Sequence, residues 1–415
     1  MFDYHTLQLA NGMRLVHCCA PTQVAYCGIM VNCGTRNELS PELYGIAHFI
    51  EHILFKGTRK RDSWHINNRM ESVGGELNAF TTKEDTTFYS VFLPQDFGRA
   101  VELLFDLLFD ATAPQHELEK EQEVVIEEIE SYRDNPSELI YDLFEEQLFA
   151  GTALGHNILG TAETVRSFDS RMCLDFLAAN YTPDRMVFFS YGPMKWDTVV
   201  RQVEKYQPGE IAARNREVPT VEAAPFWKSA AVTPQEATEN GHFAQSHVII
   251  GGPTYPIGHP NAAALALLNN LLGGPGMNSR LNLQLRERNG LVYTVESNLT
   301  SYTDAGYFSI YYGCDHDEER RCEKLCRREL QKLLAKPLSD RQLQAAKKQL
   351  KGQMGIATAN LENSAISLAK NIMRRGCIES LEEVCQRIDD VTSQQMQAVA
   401  EELFDDSRLL TVVLK

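Results

Sequence analysis

The sequence predicts an α+β protein built from two homologous, duplicated domains, each a mostly antiparallel sheet packed with helices. Three observations carry this. The chain has 415 residues, too many for one ordinary core. Hydrophobic content of 43% and charged content of 23% are those of a soluble globular protein. One order of elements (strand, two helices, two strands, several helices, strand) can be read twice along the chain.

In the first half, Arg14–Cys19 and Val24–Cys33 read as strands, and Gly34-Thr35-Arg36-Asn37-Glu38 breaks the second. A helix is expected from about Tyr44 to Phe55, ended by Gly57. Asp62 or Ser63 can cap the next helix, which runs to Val73 and stops at Gly74-Gly75. Leu77–Thr81 and Thr86–Leu93, rich in Thr, Phe, Tyr and Val, read as strands. Helices follow over Gln95–Phe109, His116–Tyr132 and Ser137–Phe149, with a shorter one before Asn180 and a closing strand at Met186–Tyr191. In the second half, His247–Gly252 is the first strand, and helices span Asn261–Leu272 and about Ser279–Asn289. Val292–Leu299 and Gly306–Cys314 are strands, three or more helices lie between Glu318 and Phe404, and Leu409–Leu414 closes. Pro208, Pro219, Pro225 and Pro234 mark a linker. The expected division is 1–206, a linker at 207–240, and 241–415.

A net charge of −16 argues against nucleic-acid binding, which needs a basic surface. It is compatible with steering of basic peptides, although solubility accounts for it more simply. No apolar run is long enough to span a bilayer, so no membrane partner is expected. Met1–His5 has no basic region leading into an apolar stretch, so no secretory signal is expected. Ten scattered Cys fit reduced, mostly buried thiols in a cytoplasmic protein better than a disulfide framework.

The chemistry concentrates in His48-Phe49-Ile50-Glu51-His52. Positions three and four apart share a helix face, so His48 and His52 can grip one metal ion with Glu51 beside them. With 11 His and 56 Asp+Glu, chance yields this spacing about 0.04 times per chain, so further ligands must be found. A catalytic zinc site takes three protein ligands and an open position. The acidic stretch Glu117–Glu130 is the reservoir. Glu121 and Glu128, seven apart, share a face, but spacing alone does not choose between Glu127 and Glu128. The helix near Ala263–Leu271 in the second half is apolar and has no such cluster. His65, His156 and His247 are isolated, and none is assigned a catalytic role.

His48–Thr58, read as His-Phe-Ile-Glu-His-Ile-Leu-Phe-Lys-Gly-Thr, closely resembles the signature of the pitrilysin-like zinc peptidases, or inverzincins, in their mitochondrial-processing-peptidase branch. The resemblance continues through Gly74–Thr81, Glu121–Ile129, Gly276–Arg280 and Leu285–Tyr293. It implies one Zn2+ per chain, held by His48, His52 and Glu128, with Glu121 supporting them. Glu51 is then the base that activates zinc-bound water. Asn78 and Ala79 lie on the edge strand that takes a peptide substrate by strand addition. Arg286 and Tyr293, from the second domain, match a pair that reaches toward the substrate. Since both sets occur in one chain, a homodimer enclosing a chamber is implied, acting as an endopeptidase on peptides or extended unfolded segments. The competing expectation is a non-catalytic scaffold or a partner subunit of a heterodimeric peptidase. A zinc hydrolase for a non-peptide bond is disfavoured by the edge strand.

Overall fold

The structure, a computed structural model, describes residues 3–209, 236–239 and 243–415. Of the segment read as a linker, 210–235 and 240 lie outside the described residues.

The first sheet comprises β1 (Asp3–Gln8), β2 (Arg14–Cys19), β3 (Ala25–Val31), β4 (Glu76–Thr81), β5 (Thr86–Phe92) and β6 (Met186–Gly192), in the order β1-β2-β6-β3-β5-β4. Only β2 and β6 run parallel; every other pairing is antiparallel. Its helices are α1 (Ile46–Leu54), α2 (Ser63–Glu71), α3 (Phe97–Phe109), α4 (Gln115–Arg133), α6 (Ala162–Ser167), α7 (Ser170–Asn180) and α8 (Trp196–Tyr206), with α5 (Pro136–Leu148) placed elsewhere. The second sheet contains β7 (Glu236–Glu239), β8 (Ser246–Pro253), β9 (Val292–Ser301), β10 (Gly306–Cys314) and β11 (Leu410–Leu414), ordered β7-β11-β8-β10-β9. Here too one pairing is parallel, β7 with β11. Matching β7-β11-β8-β10-β9 onto β2-β6-β3-β5-β4 gives the same order and the same sense at every pairing, so the two sheets are copies of one plan; β1 has no counterpart among the described residues of the second.

Alternation along the strands makes both faces of the first sheet apolar. Ile29, Phe88 and Phe188 join one core with α1 and α3; Met30, Tyr89, Val187 and Phe189 join another with Ala365, Leu368 and Ile372. The helix on that second face, Leu361–Arg375, comes from the far end of the chain. The compact units therefore do not follow the chain halves. One holds 3–130, 156–209 and 358–378; the other holds the described residues of 131–155, 236–357 and 379–415. In the second unit α5 covers the sheet, with Ile140 and Phe144 packed among Ile249, Tyr307 and Val412. These units differ from the chain halves by the exchange of one helix from each half. Both faces of a sheet of buried strands must be covered, and each copy covers the second face of the other's sheet.

Four strands and α-helices appear where none was expected: the edge strands β1 and β7, and the helices α6 and α8. The segment read as a helix over Ser279–Asn289 is largely a π-helical turn, Asn282–Glu287.

Candidate active site

Helix α1 begins under tight constraint. Gly45 precedes it at φ 94°, and a Cβ there would lie 2.6 Å from the Leu159 carbonyl oxygen, so only glycine fits. The Gly45 and Ala47 amides, two of the helix's unpaired N-terminal donors, both donate to the Glu38 carboxylate at 2.9 Å. Glu38 is held in turn by His156 Nε2 at 2.9 Å, and the His156 ring stacks on Tyr44 with centroids 3.8 Å apart. His156, assigned no chemistry above, is thus part of the anchor of this helix. Phe49, Ile50, Ile53 and Leu54 are fully buried in the core, which turns His48, Glu51 and His52 toward one side.

Helix α4 supplies the opposite side. Leu118, Val125 and Ile129 bury its apolar face, while Glu121 is buried, Glu128 half-buried and Glu127 exposed. Glu128 Oε2 lies 3.7 Å from His48 Nε2 and 3.4 Å from His52 Nε2. Donors around a tetrahedral zinc with bonds of about 2.0–2.2 Å stand roughly 3.3–3.6 Å apart, so these separations fit one ion. Among the described residues, His48, His52 and Glu128 are the one group of three or more such side chains able to hold a metal, with donor atoms within 4.8 Å of one another. His48 Nδ1 is buried without a partner among the described residues. His52 Nδ1 is hydrogen-bonded to Glu121 Oε1 at 2.8 Å, which aims Nε2 at Glu128. Glu121 Oε2 is 2.6 Å from Lys56 Nζ.

The electrostatics separate the two imidazoles. Burial, aided by neighbouring His52, pushes His48 down to about 4, so it is neutral and ready to ligate. Burial also acts to lower His52, but Glu121 and Glu128 outweigh it and raise His52 to about 9. For Glu121, burial acts to raise the pKa, but His52 and Lys56 prevail and hold it below the ordinary carboxylate range; Glu128 is lowered chiefly by its contact with His52. Burial raises Glu51, opposed by a hydrogen bond from Thr81, as suits a group that must both accept and return a proton.

The other expected site residues fall in two places. Asn78 and Ala79 lie on β4, opposite Tyr89 and Phe88 of β5, and β4 is the edge of its sheet. Arg286 and Tyr293 belong to the second unit. There the Arg286 guanidinium sits 5.5 Å from the centre of the Tyr293 ring, and Tyr293 is 84% exposed. Residues that sequence reasoning did not single out are Glu38, Lys56 and Thr81. Lys56 follows His52 by four positions, a helix-face spacing that could have flagged it.

A duplicated α+β fold with a His/His/Glu cluster beside a buried carboxylate is consistent with a zinc hydrolase. Residues 16–162 match the family described as Insulinase (Peptidase family M16), and 168–350 match the Peptidase M16 inactive domain. A Bacillus subtilis zinc protease, YmxG, is 32% identical over 414 residues, covering 100% of this chain and 98% of its own. The beta subunit of the mitochondrial-processing peptidase of Bos taurus is 30% identical over 315 residues, covering 74% of this chain and 63% of its own. The crystal structure of a protease from Helicobacter pylori superposes with a TM-score of 0.91 at 21% identity, over 100% of both chains. The chain belongs to peptidase family M16. No described helix is long and apolar enough to cross a membrane.

Proposed function

We propose that this protein is a zinc-dependent endopeptidase of the mitochondrial-processing-peptidase branch, cleaving peptides or extended unfolded segments. The observation that carries the reading is the meeting of His48, His52 and Glu128 beside Glu51, in a chain of this family. His48 Nε2, His52 Nε2 and Glu128 hold the metal, and Glu121 orients His52. Bound there, zinc supplies Lewis acidity to the scissile carbonyl and to the attacking water. Glu51 takes the proton of that water and returns it to the leaving amine. The peptide pairs with β4 at Asn78 and Ala79, an edge that offers unpaired backbone groups and little side-chain preference. The family resemblance also assigns Arg286, with its fixed charge, and Tyr293, with its hydroxyl donor, to substrate binding. Both sets in one chain favour a homodimer with one zinc per chain. Ten free cysteines, most of them buried, favour a cytoplasmic setting.

The test is hydrolysis of a quenched fluorogenic peptide by the purified protein, with and without a chelator, beside Glu51→Gln and a zinc assay. One zinc per chain with chelator-sensitive cleavage, lost in Glu51→Gln, is the expected result. Metal-free, inert protein would support the scaffold reading, which the complete ligand set opposes.

A further inference from the structure

Thr81 ends β4 and Thr86 begins β5, and the two are register partners at the closed end of this hairpin. The turn between them is tied by Thr82, whose backbone N–H donates to the Asp85 carbonyl at 2.8 Å and whose Oγ1 accepts from the Asp85 amide at 3.1 Å. Thr86 is fully buried and spends its hydroxyl proton on the Cys33 carbonyl at 2.9 Å. Each hydroxyl has one proton to give. The 3.4 Å approach of Thr81 Oγ1 to Thr86 Oγ1 therefore leaves the Thr81 proton for its other neighbour, Glu51 Oε2, at 2.6 Å. One oxygen of the Glu51 carboxylate is held, and Oε1 accepts no hydrogen bond among the described residues.

We propose that Thr81 is a positioning residue for the base: its hydroxyl locks the Glu51 carboxylate in one orientation, with Oε1 turned to the reacting water. This rests on the peptidase reading above and deepens it. A glutamate has three rotatable bonds, and a long side chain left without this anchor samples several rotamers. Thr81 also ties the base to the strand proposed to pair with substrate. The scissile bond and the base are then referenced to one rigid hairpin, and their alignment does not depend on α1 alone. Alignment of this kind is where a displacement of about 1 Å costs on the order of 100-fold in rate.

The test compares Thr81→Val, which keeps shape and removes the donor, with Thr81→Ser, which keeps the donor. In zinc-loaded protein, Thr81→Val lowers kcat by roughly 10- to 100-fold, with KM and zinc content near wild type, and Thr81→Ser recovers most of the loss. In crystals of the metal-free variants, Glu51 occupies several rotamers in Thr81→Val and one in Thr81→Ser. A Thr81→Val enzyme with wild-type kcat overturns the proposal, as does a serine variant as impaired as the valine one, or a change in KM alone. If Thr81→Val does not fold, Thr81→Ser against Thr81→Ala carries the same comparison. A wild-type chain that binds zinc but cleaves nothing removes the peptidase reading itself, and this role with it.

Discussion

Helix α1 and the helix Ala262–Gly273 occupy the same step of the duplicated plan, and they differ in what they can do. Both are apolar on the buried side: Phe49, Ile50 and Ile53 in one, Leu265, Leu267, Leu268 and Leu272 in the other. Only α1 carries His48, Glu51 and His52, and only α1 is entered through a glycine at positive φ with a buried carboxylate capping it from another segment. The second helix starts at Asn261 with φ −88° and no side-chain cap. The shared plan builds the scaffold, and the first copy adds constraint at the helix start and ionisable side chains on the face turned away from the core.

The largest effects should break the comparison outright. Glu51→Gln is expected to lower turnover by about 10²–10⁴-fold while leaving zinc in place, and Glu128→Ala to remove the metal as well, read by elemental analysis. By contrast, Leu268→Ala in the second copy should lower stability by about 2–5 kcal/mol, seen in denaturant unfolding, with one zinc per chain retained by the folded protein. Next in size is Glu121→Ala, which leaves His52 without its orienting partner. Zinc affinity should fall about 10- to 100-fold in competition with a chromophoric chelator.

The pH dependence follows from the raised His52. In the metal-free protein its pKa is about 9, against an ordinary 6.5, so the stability it contributes is fully present below 6.5 and is lost as pH rises through about 9. Metal binding must expel that proton, so zinc affinity should rise with pH across the same window. Calorimetry in buffers of different ionisation enthalpy should record about one proton released per zinc at pH 7. His52→Gln should abolish both the alkaline loss of stability and the proton release. The smallest contrast is at the helix entries. Gly45→Ala meets the Leu159 carbonyl at a left-handed φ and should cost about 1–3 kcal/mol, whereas Asn261→Ala has no cap bond to lose, only the hydrogen bond from Gln395 Nε2 at 3.1 Å, and should cost about 0.5–1.5 kcal/mol.

The duplicated plan and the His/Glu face of α1 were legible because period and spacing are local properties. Glu128 needed more: seven-residue spacing put it on the face of Glu121, but its meeting with His48 depends on how α4 packs. Helix α8 was readable, since Trp196, Val199, Val203 and Tyr206 recur at helical spacing. The edge strands β1 and β7 are marked weakly because, among the described residues, each pairs on one side only. Nothing local in α5 or in Leu361–Arg375 tells which sheet an amphipathic helix will cover, so the exchange between the chain halves was out of reach. The same holds for Glu38, whose partners at Gly45, Ala47 and His156 are brought to it by the fold. Thr81 lay inside a predicted strand, but a strand assignment does not say that its hydroxyl meets Glu51.

The central claim is that α1 and α4 together build one zinc site per chain. Anomalous scattering at the zinc edge, from crystals of zinc-loaded protein, tests it most directly. The predicted result is one peak per chain, about 2.0–2.2 Å from His48 Nε2, His52 Nε2 and a Glu128 oxygen, with Glu121 on His52 Nδ1. A zinc-replete crystal with no peak there, or with its peak at other side chains, would contradict it.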